Sequence, residues 1–132
     1  QLTLVKRMVR DLDWPIEIVA VPTVREPDGL ALSSRNAYLS AADRMQAVAL
    51  SRALQAAHHA WCEGEQRAMV IEERMRQELQ KYPQVAVEYI AVVEPETLAP
   101  VTAVEARTVV AIAARVGGTR LIDNITLAQG ID

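Results

Sequence analysis

The sequence predicts an α+β fold: two helices and a three-stranded antiparallel sheet, preceded by one helix and one strand of the α/β kind. Three observations predict it. Apolar residues recur at spacings of three and four through residues 1–12 and again through 40–81. Two β-branched apolar runs occupy 85–93 and 108–116. A Gly117-Gly118 pair then joins the second run to Thr119–Ile122, as a hairpin turn does.

Leu2, Val5, Met8, Val9 and Leu12 form one helical face, and Trp14-Pro15 ends it. Ile16–Val21 is short, β-branched and bounded by prolines, which predicts a buried strand. Helix, short turn and strand make half of a unit that normally comes in series around a parallel sheet. Gln1 enters the helix with no N-cap residue ahead of it, so the chain reads as cut inside an element, with the rest of that sheet upstream. Residues 1–21 are then expected to self-associate or to be poorly ordered.

Residues 22–39 lack regular periodicity, and Pro22, Pro27, Asp28 and Gly29 mark turns. With no apolar periodicity to pin it, 25–36 is expected to be mobile until a ligand closes it. Ser40 followed by Asp43 is a capping-box variant opening a helix. Ala47, Leu50, Leu54, Ala57 and Trp61 carry that helix as one stripe to about Glu63, and Gly64 suits the C′ position. A second helix runs from about Gln66 to Lys81, with Ile71, Met75, Leu79 and Tyr82 inward. Strict alternation over 85–93 sets Val85, Val87, Tyr89, Ala91 and Val93 against Ala86, Glu88, Ile90 and Val92. Thr108–Val116, almost wholly apolar, suits a central strand.

Composition narrows the function. The 132 residues include 21 alanines and no phenylalanine, so the core must come from Leu, Val, Ile and Ala. A net charge of −3 argues against a nucleic-acid binder, which is normally basic. Cys62 is the only cysteine, which excludes an intrachain disulfide and suits the cytoplasm. No apolar run is long enough to span a membrane.

Asp28–Asn36 is the place to look for chemistry. Ser33 and Ser34 supply hydroxyls, and Arg35 supplies a planar fork matched to phosphate oxygens. The same residues also suit a solvated turn, the commoner use of such a segment. His58-His59 point about 100° apart on a helix and cannot ligate one metal from one face. Cys62 has nothing marking it as a nucleophile, the charges of 63–76 read as a solvated face, and Asp123-Asn124 reads as structural hydrogen bonding.

The stretch Val21-Pro22-Thr23-Val24-Arg25-Glu26-Pro27-Asp28-Gly29-Leu30-Ala31-Leu32-Ser33-Ser34-Arg35-Asn36-Ala37-Tyr38-Leu39 closely resembles the pantothenate synthetases, the pantoate–β-alanine ligases. Gln1–Val9 resembles the helix after that family's Lys-Asp-Tyr-Gln-Gln segment, and Thr119–Asn124 its Arg-Leu-Ile-Asp-Asn stretch. The resemblance implies an ATP-dependent ligase that makes a pantoyl adenylate, releases pyrophosphate, and then joins pantoate to β-alanine with loss of AMP. It implies that residues 1–22 are the last helix and strand of a Rossmann-like nucleotide-binding domain. Residues 23–39 become a KMSKS-like phosphate loop and hinge, and 40–132 a C-terminal lid. By resemblance Leu32, Ser33, Ser34 and Arg35 grip ATP, Val24 contacts the nucleotide through its backbone, and Gln1 hydrogen-bonds pantoate. Mg2+ and a homodimeric parent enzyme are implied too, with metal ligands not identifiable in this chain. The family's His-x-Gly-His motif and its lysine and aspartate before the two glutamines are absent, so the chain alone is expected to be inactive. The alternative is a non-catalytic α+β binding or scaffolding module whose Ser-Ser-Arg loop is only a turn.

Overall fold

The computed structural model describes residues 1–131. It contains α1 (Leu2–Asp11), a 3-10 helix (Ser34–Tyr38), α2 (Ala41–Ala47), α3 (Ala49–Cys62) and α4 (Ala68–Leu79). The strands β1 (Val85–Val93), β2 (Val109–Val116) and β3 (Thr119–Thr126) form one antiparallel sheet in the order β1-β2-β3. The α+β class and the three strands match the sequence reading.

The core lies between the α3–α4 pair and one face of the sheet. Leu50 and Leu54 of α3 meet Ile71 and Met75 of α4 and Val110, Ile112 and Val116 of β2, all fully buried. The abundance of alanine has its use here. Ala47, Ala49, Ala53 and Ala57 are completely buried, and their small side chains let neighbouring backbones approach where no phenylalanine fills space.

Several local expectations hold at the level of single hydrogen bonds. Ser40 Oγ accepts from the Asp43 N–H at 3.1 Å and donates to its carboxylate at 2.7 Å, capping α2. Gly64 has φ +93 and closes α3 with the paired bonds Glu65 N–H to Ala60 C=O and Gly64 N–H to Trp61 C=O, a Schellman motif. Gly117 and Gly118 both have positive φ, as a tight turn between twisted strands requires. A Cβ on Gly117 would stand 2.1 Å from the Asp43 carboxylate, so the hairpin tip fits against the start of α2 only without one.

Four expectations need correction. Ile16–Val21 forms no strand: Val19 and Val21 are 72% and 79% exposed, and no described residue supplies a ladder partner. A parallel strand is a property of a pair, and local β-propensity alone does not make one. The α1 stop differs as well, for a Schellman closure ends it, with Asp13 at φ 50 in the glycine position and Trp14 N–H on the Val9 carbonyl. The single helix expected over 41–63 is broken at Val48, whose carbonyl accepts from the Ser51 hydroxyl at 2.9 Å; such back-bonding bends helices. In β1 the register shifts between Val87 and Tyr89, leaving Glu88 as a bulge. Strict alternation is thereby interrupted, and Val85, Val87, Ile90 and Val92 all pack toward the core.

Smaller differences have clear causes. Gln66 and Arg67 are drawn out of α4 because they pair with the 102–104 segment, Val104 N–H donating to the Gln66 carbonyl at 2.8 Å. β3 continues past Ile122 because Asp123 and Asn124 extend its ladder with β2.

Candidate functional site

The site is the loop between residues 24 and 39 and the part of β3 it leans on. Residues 24–32 form a small hairpin: Arg25 and Ala31 make an antiparallel bridge, Glu26 N–H donates to the Leu30 carbonyl, and Leu32 N–H donates to the Val24 carbonyl, the last two at 2.8 Å. Gly29 turns the tip at φ +92, and a Cβ there would sit 3.3 Å from Ser51 Oγ. The tip therefore rests on the α2–α3 break.

Three tethers hold this hairpin. Leu30 is only 3% exposed and belongs to the core cluster, so a single buried side chain pins a loop that has no apolar periodicity. Arg44 of α2 reaches Glu26 at 2.8 Å and Asp28 at 2.7 Å. Its hydrogen bonds hold both carboxyls below their usual range, and the two carboxylates raise the Arg44 guanidinium in turn. Arg25 grips the buried Asp123 carboxylate of β3 through both terminal guanidinium nitrogens at 2.7 and 3.0 Å. Asn36 closes the base, its Nδ2 donating to Glu26 at 2.9 Å and to the Ala31 carbonyl at 3.1 Å.

The chemistry-bearing residues come after the hairpin. Ser33 caps the 3-10 helix, its Oγ accepting from the Arg35 N–H at 3.2 Å, and its own hydroxyl proton stays free to donate. Arg35 is exposed, and among the described residues no carboxylate pairs with it, in contrast to Arg25 and Arg44. Gln1, Leu32, Ser33 and Arg35 line one cavity of about 330 Å³ with Asn36, Arg120 and Asp123. Four of the predicted residues thus converge on one space. Ser34 and Val24 do not line it: Ser34 is exposed, and Val24 has its carbonyl engaged by Leu32, leaving its N–H and the second lone pair.

Sequence reasoning missed Arg120, a second guanidinium on the cavity wall, which bonds Glu88 at 2.7 Å. The signal was present in the alternation of β3, where Arg120 faces outward opposite Arg115. The other sequence candidates lie elsewhere. His58 Nδ1 donates to the Leu127 carbonyl at 2.7 Å, a structural bond, and Cys62 is exposed beside it. Among the described residues, no three of His, Cys, Asp and Glu are grouped to hold a metal ion, and no helix is long and apolar enough to cross a membrane.

Comparison with known proteins places these residues in context. The family model described as pantoate-beta-alanine ligase matches residues 1–126. A pantothenate synthetase of Pseudothermotoga lettingae is 46% identical over 129 residues, covering 98% of this chain and 46% of the relative. A bifunctional pantoate ligase/cytidylate kinase of Nostoc is 52% identical over 127 residues, 96% of this chain and 24% of that protein. The crystal structure of the Thermus thermophilus pantothenate synthetase superposes with a TM-score of 0.90 at 44% identity, covering 96% of this chain and 45% of that one. A Francisella tularensis pantoate-beta-alanine ligase, complexed with beta-gamma ATP and beta-alanine, shares the fold at a TM-score of 0.58 and 22% identity. The chain therefore spans about half the length, or less, of the relatives it matches.

Proposed function

The chain belongs to the pantoate–β-alanine ligase family, and on that premise we propose that it is the phosphate-gripping C-terminal part of an ATP-dependent ligase. In the proposed reaction the pantoate carboxylate attacks the α-phosphorus of ATP, and the bond to the departing pyrophosphate breaks. The amine of β-alanine then attacks the acyl carbon of the pantoyl adenylate, and AMP leaves. Residues 1–22 belong to the nucleotide-binding domain in this reading, 23–39 are the phosphate loop and hinge, and 40–132 are the lid.

One observation carries the proposal. Arg35, the loop cation without a carboxylate partner among the described residues, stands on the same cavity as Ser33, whose hydroxyl has a proton to give. A guanidinium already paired to carboxylates, such as Arg44, has its charge spent at home; Arg35 does not. As the α-phosphorus is attacked, negative charge moves onto the pyrophosphate, and a fixed fork meets that charge as it develops. Ser33 and Ser34 add hydroxyl donors, Leu32 and Val24 offer backbone groups to the nucleotide, and Gln1 presents an amide to pantoate.

The chain's own residues do not fit a magnesium site. The nearest carboxylates are engaged, Glu26 and Asp28 by Arg44 and Asp123 by Arg25. The Mg2+ of this proposal would be carried by the nucleotide's phosphates, as is usual for that ion. The cytoplasmic setting expected from the single cysteine is part of the same reading.

The test is Arg35→Ala in the complete ligase. Adenylation, followed as pyrophosphate release, should fall about 10²–10³-fold, the scale for losing one preorganised donor. Arg35→Lys should recover only part of it, because an ammonium is a point charge without the fork. Near wild-type release in Arg35→Ala would remove the assignment.

A further inference from the structure

Arg25 and Asp123 lie 98 residues apart in sequence and form the most buried ion pair among the described residues, with side chains 10% and 1% exposed. The geometry is two parallel bonds, Nη1 to Oδ2 at 2.7 Å and Nη2 to Oδ1 at 3.0 Å. Both partners are engaged further. Arg25 Nη1 also donates to the Gly29 carbonyl at 3.0 Å, and Asp123 Oδ1 also accepts from the Asn124 N–H at 2.8 Å. A planar fork on a carboxylate fixes distance and orientation together, which a single contact does not.

What the pair holds is the root of the hairpin that delivers Ser33. Arg25 is the residue of the Arg25–Ala31 bridge, Leu32 bonds Val24 across that root, and Ser33 follows immediately. On the other side, Asp123 belongs to β3 and lines the cavity that Ser33 and Arg35 also line. Leu30 seats the loop by apolar burial, which is tolerant of small shifts, and Arg44 ties the hairpin to α2; the Arg25 fork is the tether that registers it to β3. A buried ion pair is weak evidence for stability, since apolar replacements often serve as well. Its position beside the cavity points to geometry.

We propose that Arg25 and Asp123 are positioning residues, a clamp that registers the Ser33–Arg35 segment to β3 so that the phosphate-gripping loop and the sheet move as one body. The inference rests on the ligase reading for its catalytic consequence, and on the chain alone for its structural one.

Two measurements test it. In the 132-residue chain, Asp123→Asn keeps the volume and removes the charge, and Arg25→Lys keeps the charge and removes the fork. Either should speed amide exchange at Gly29, Leu30 and Leu32 at least about tenfold while Ile112 and Leu54 stay unchanged. Equal acceleration across loop and core, or no change in the loop, overturns the clamp. In the complete ligase, Asp123→Asn should lower the rate of pyrophosphate release at saturating substrate about 10²-fold, the cost of a small misplacement of a catalytic group. Combined with Arg35→Ala it should then cost no more than Arg35→Ala alone, because residues acting as a unit are not additive. Losses that multiply mean the pair acts independently of Arg35, and the inference fails. If Arg35→Ala is itself silent, the ligase assignment of Arg35 is what fails, and the exchange measurement alone decides for or against the clamp.

Discussion

Met8 and Leu54 both sit on the apolar stripe of an amphipathic helix, yet Met8 is 45% exposed and Leu54 not at all. The difference runs through the whole of the two regions. No residue of α1 is buried, Ile16 to Val21 forms no regular element and is exposed except for a half-buried Ile18, and the side-chain hydrogen bond from α1 to the rest is Thr3 Oγ1 donating to the Pro95 carbonyl. From Arg25 onward every element meets the core or is tied to something that does. Periodicity states which face of a helix wants to be covered; it does not state by what. Residues 25–131 carry their own cover, and residues 1–24 do not.

The strongest way to break this comparison is activity. If the exposed face of residues 1–21 awaits the domain that positions ATP and pantoate, the 132-residue chain should show no measurable pantothenate formation. Positioning supplies about 7–11 kcal/mol of such a barrier. Sustained turnover by purified chain, free of host ligase, would mean the site is complete without that domain.

A second test sets the two helices side by side. Leu54→Ala should destabilise the chain by roughly 2–5 kcal/mol, and Met8→Ala should stay within about 0.5 kcal/mol. Denaturant midpoints of the two variants give the answer, and equal losses would show that α1 is packed in solution.

Acid sharpens the contrast within the folded region. Arg44 depresses the Glu26 and Asp28 carboxyls, so the stability they lend is present above the unfolded values and lost as pH falls through the folded ones. Amide exchange at Gly29 and Leu30 should therefore accelerate as pH drops below about 4, after correction for intrinsic exchange, and ahead of Ile112 in β2. Asp11 is depressed too, by Arg7 and Arg10, but no residue of its helix is buried and its protonation should leave the melt unmoved. Loop and core opening together would argue against an independently tethered loop.

A small effect should also come from removing residues 1–21. The remaining chain should melt cooperatively within about 1 kcal/mol of the original, since surface changes seldom exceed half that. If this segment covers its apolar face by association, sedimentation should show the full chain forming dimers and the shortened chain remaining monomeric. A shortened chain that no longer folds would assign the segment to the domain.

What was legible in the sequence is what is decided within a few residues. Ser40 and Asp43 announce a cap, Gly64 a helix end, and Gly117-Gly118 a hairpin, because each satisfies backbone groups next to it. What was not legible depends on distant partners. Glu88 looks like one more residue in an alternating strand, and only the pairing with β2 makes it a bulge, its carboxylate turned to Arg115 and Arg120. Ile16–Val21 has the composition of a strand, but a ladder has two sides. Within the site, the loop itself stood out by its residue types, whereas the Arg25–Asp123 pair did not, because the two partners lie at opposite ends of the chain.

The seating of Leu30 has a consequence for the kinetics of the proposed reaction. Leu30 and Leu39 both stand on the same hydrophobic core, so residues 31–38 are an arch with two fixed feet, and most of its crown is already wound into a 3-10 turn. A free strand of this length would forfeit on the order of 10 kcal/mol of conformational entropy when a triphosphate ordered it. An arch folded beforehand forfeits little, and the same economy applies in reverse. In the proposed reaction pyrophosphate would then depart without waiting for the loop to unravel, and the dwell time of the product would be set by a few charge-assisted contacts and not by a folding step.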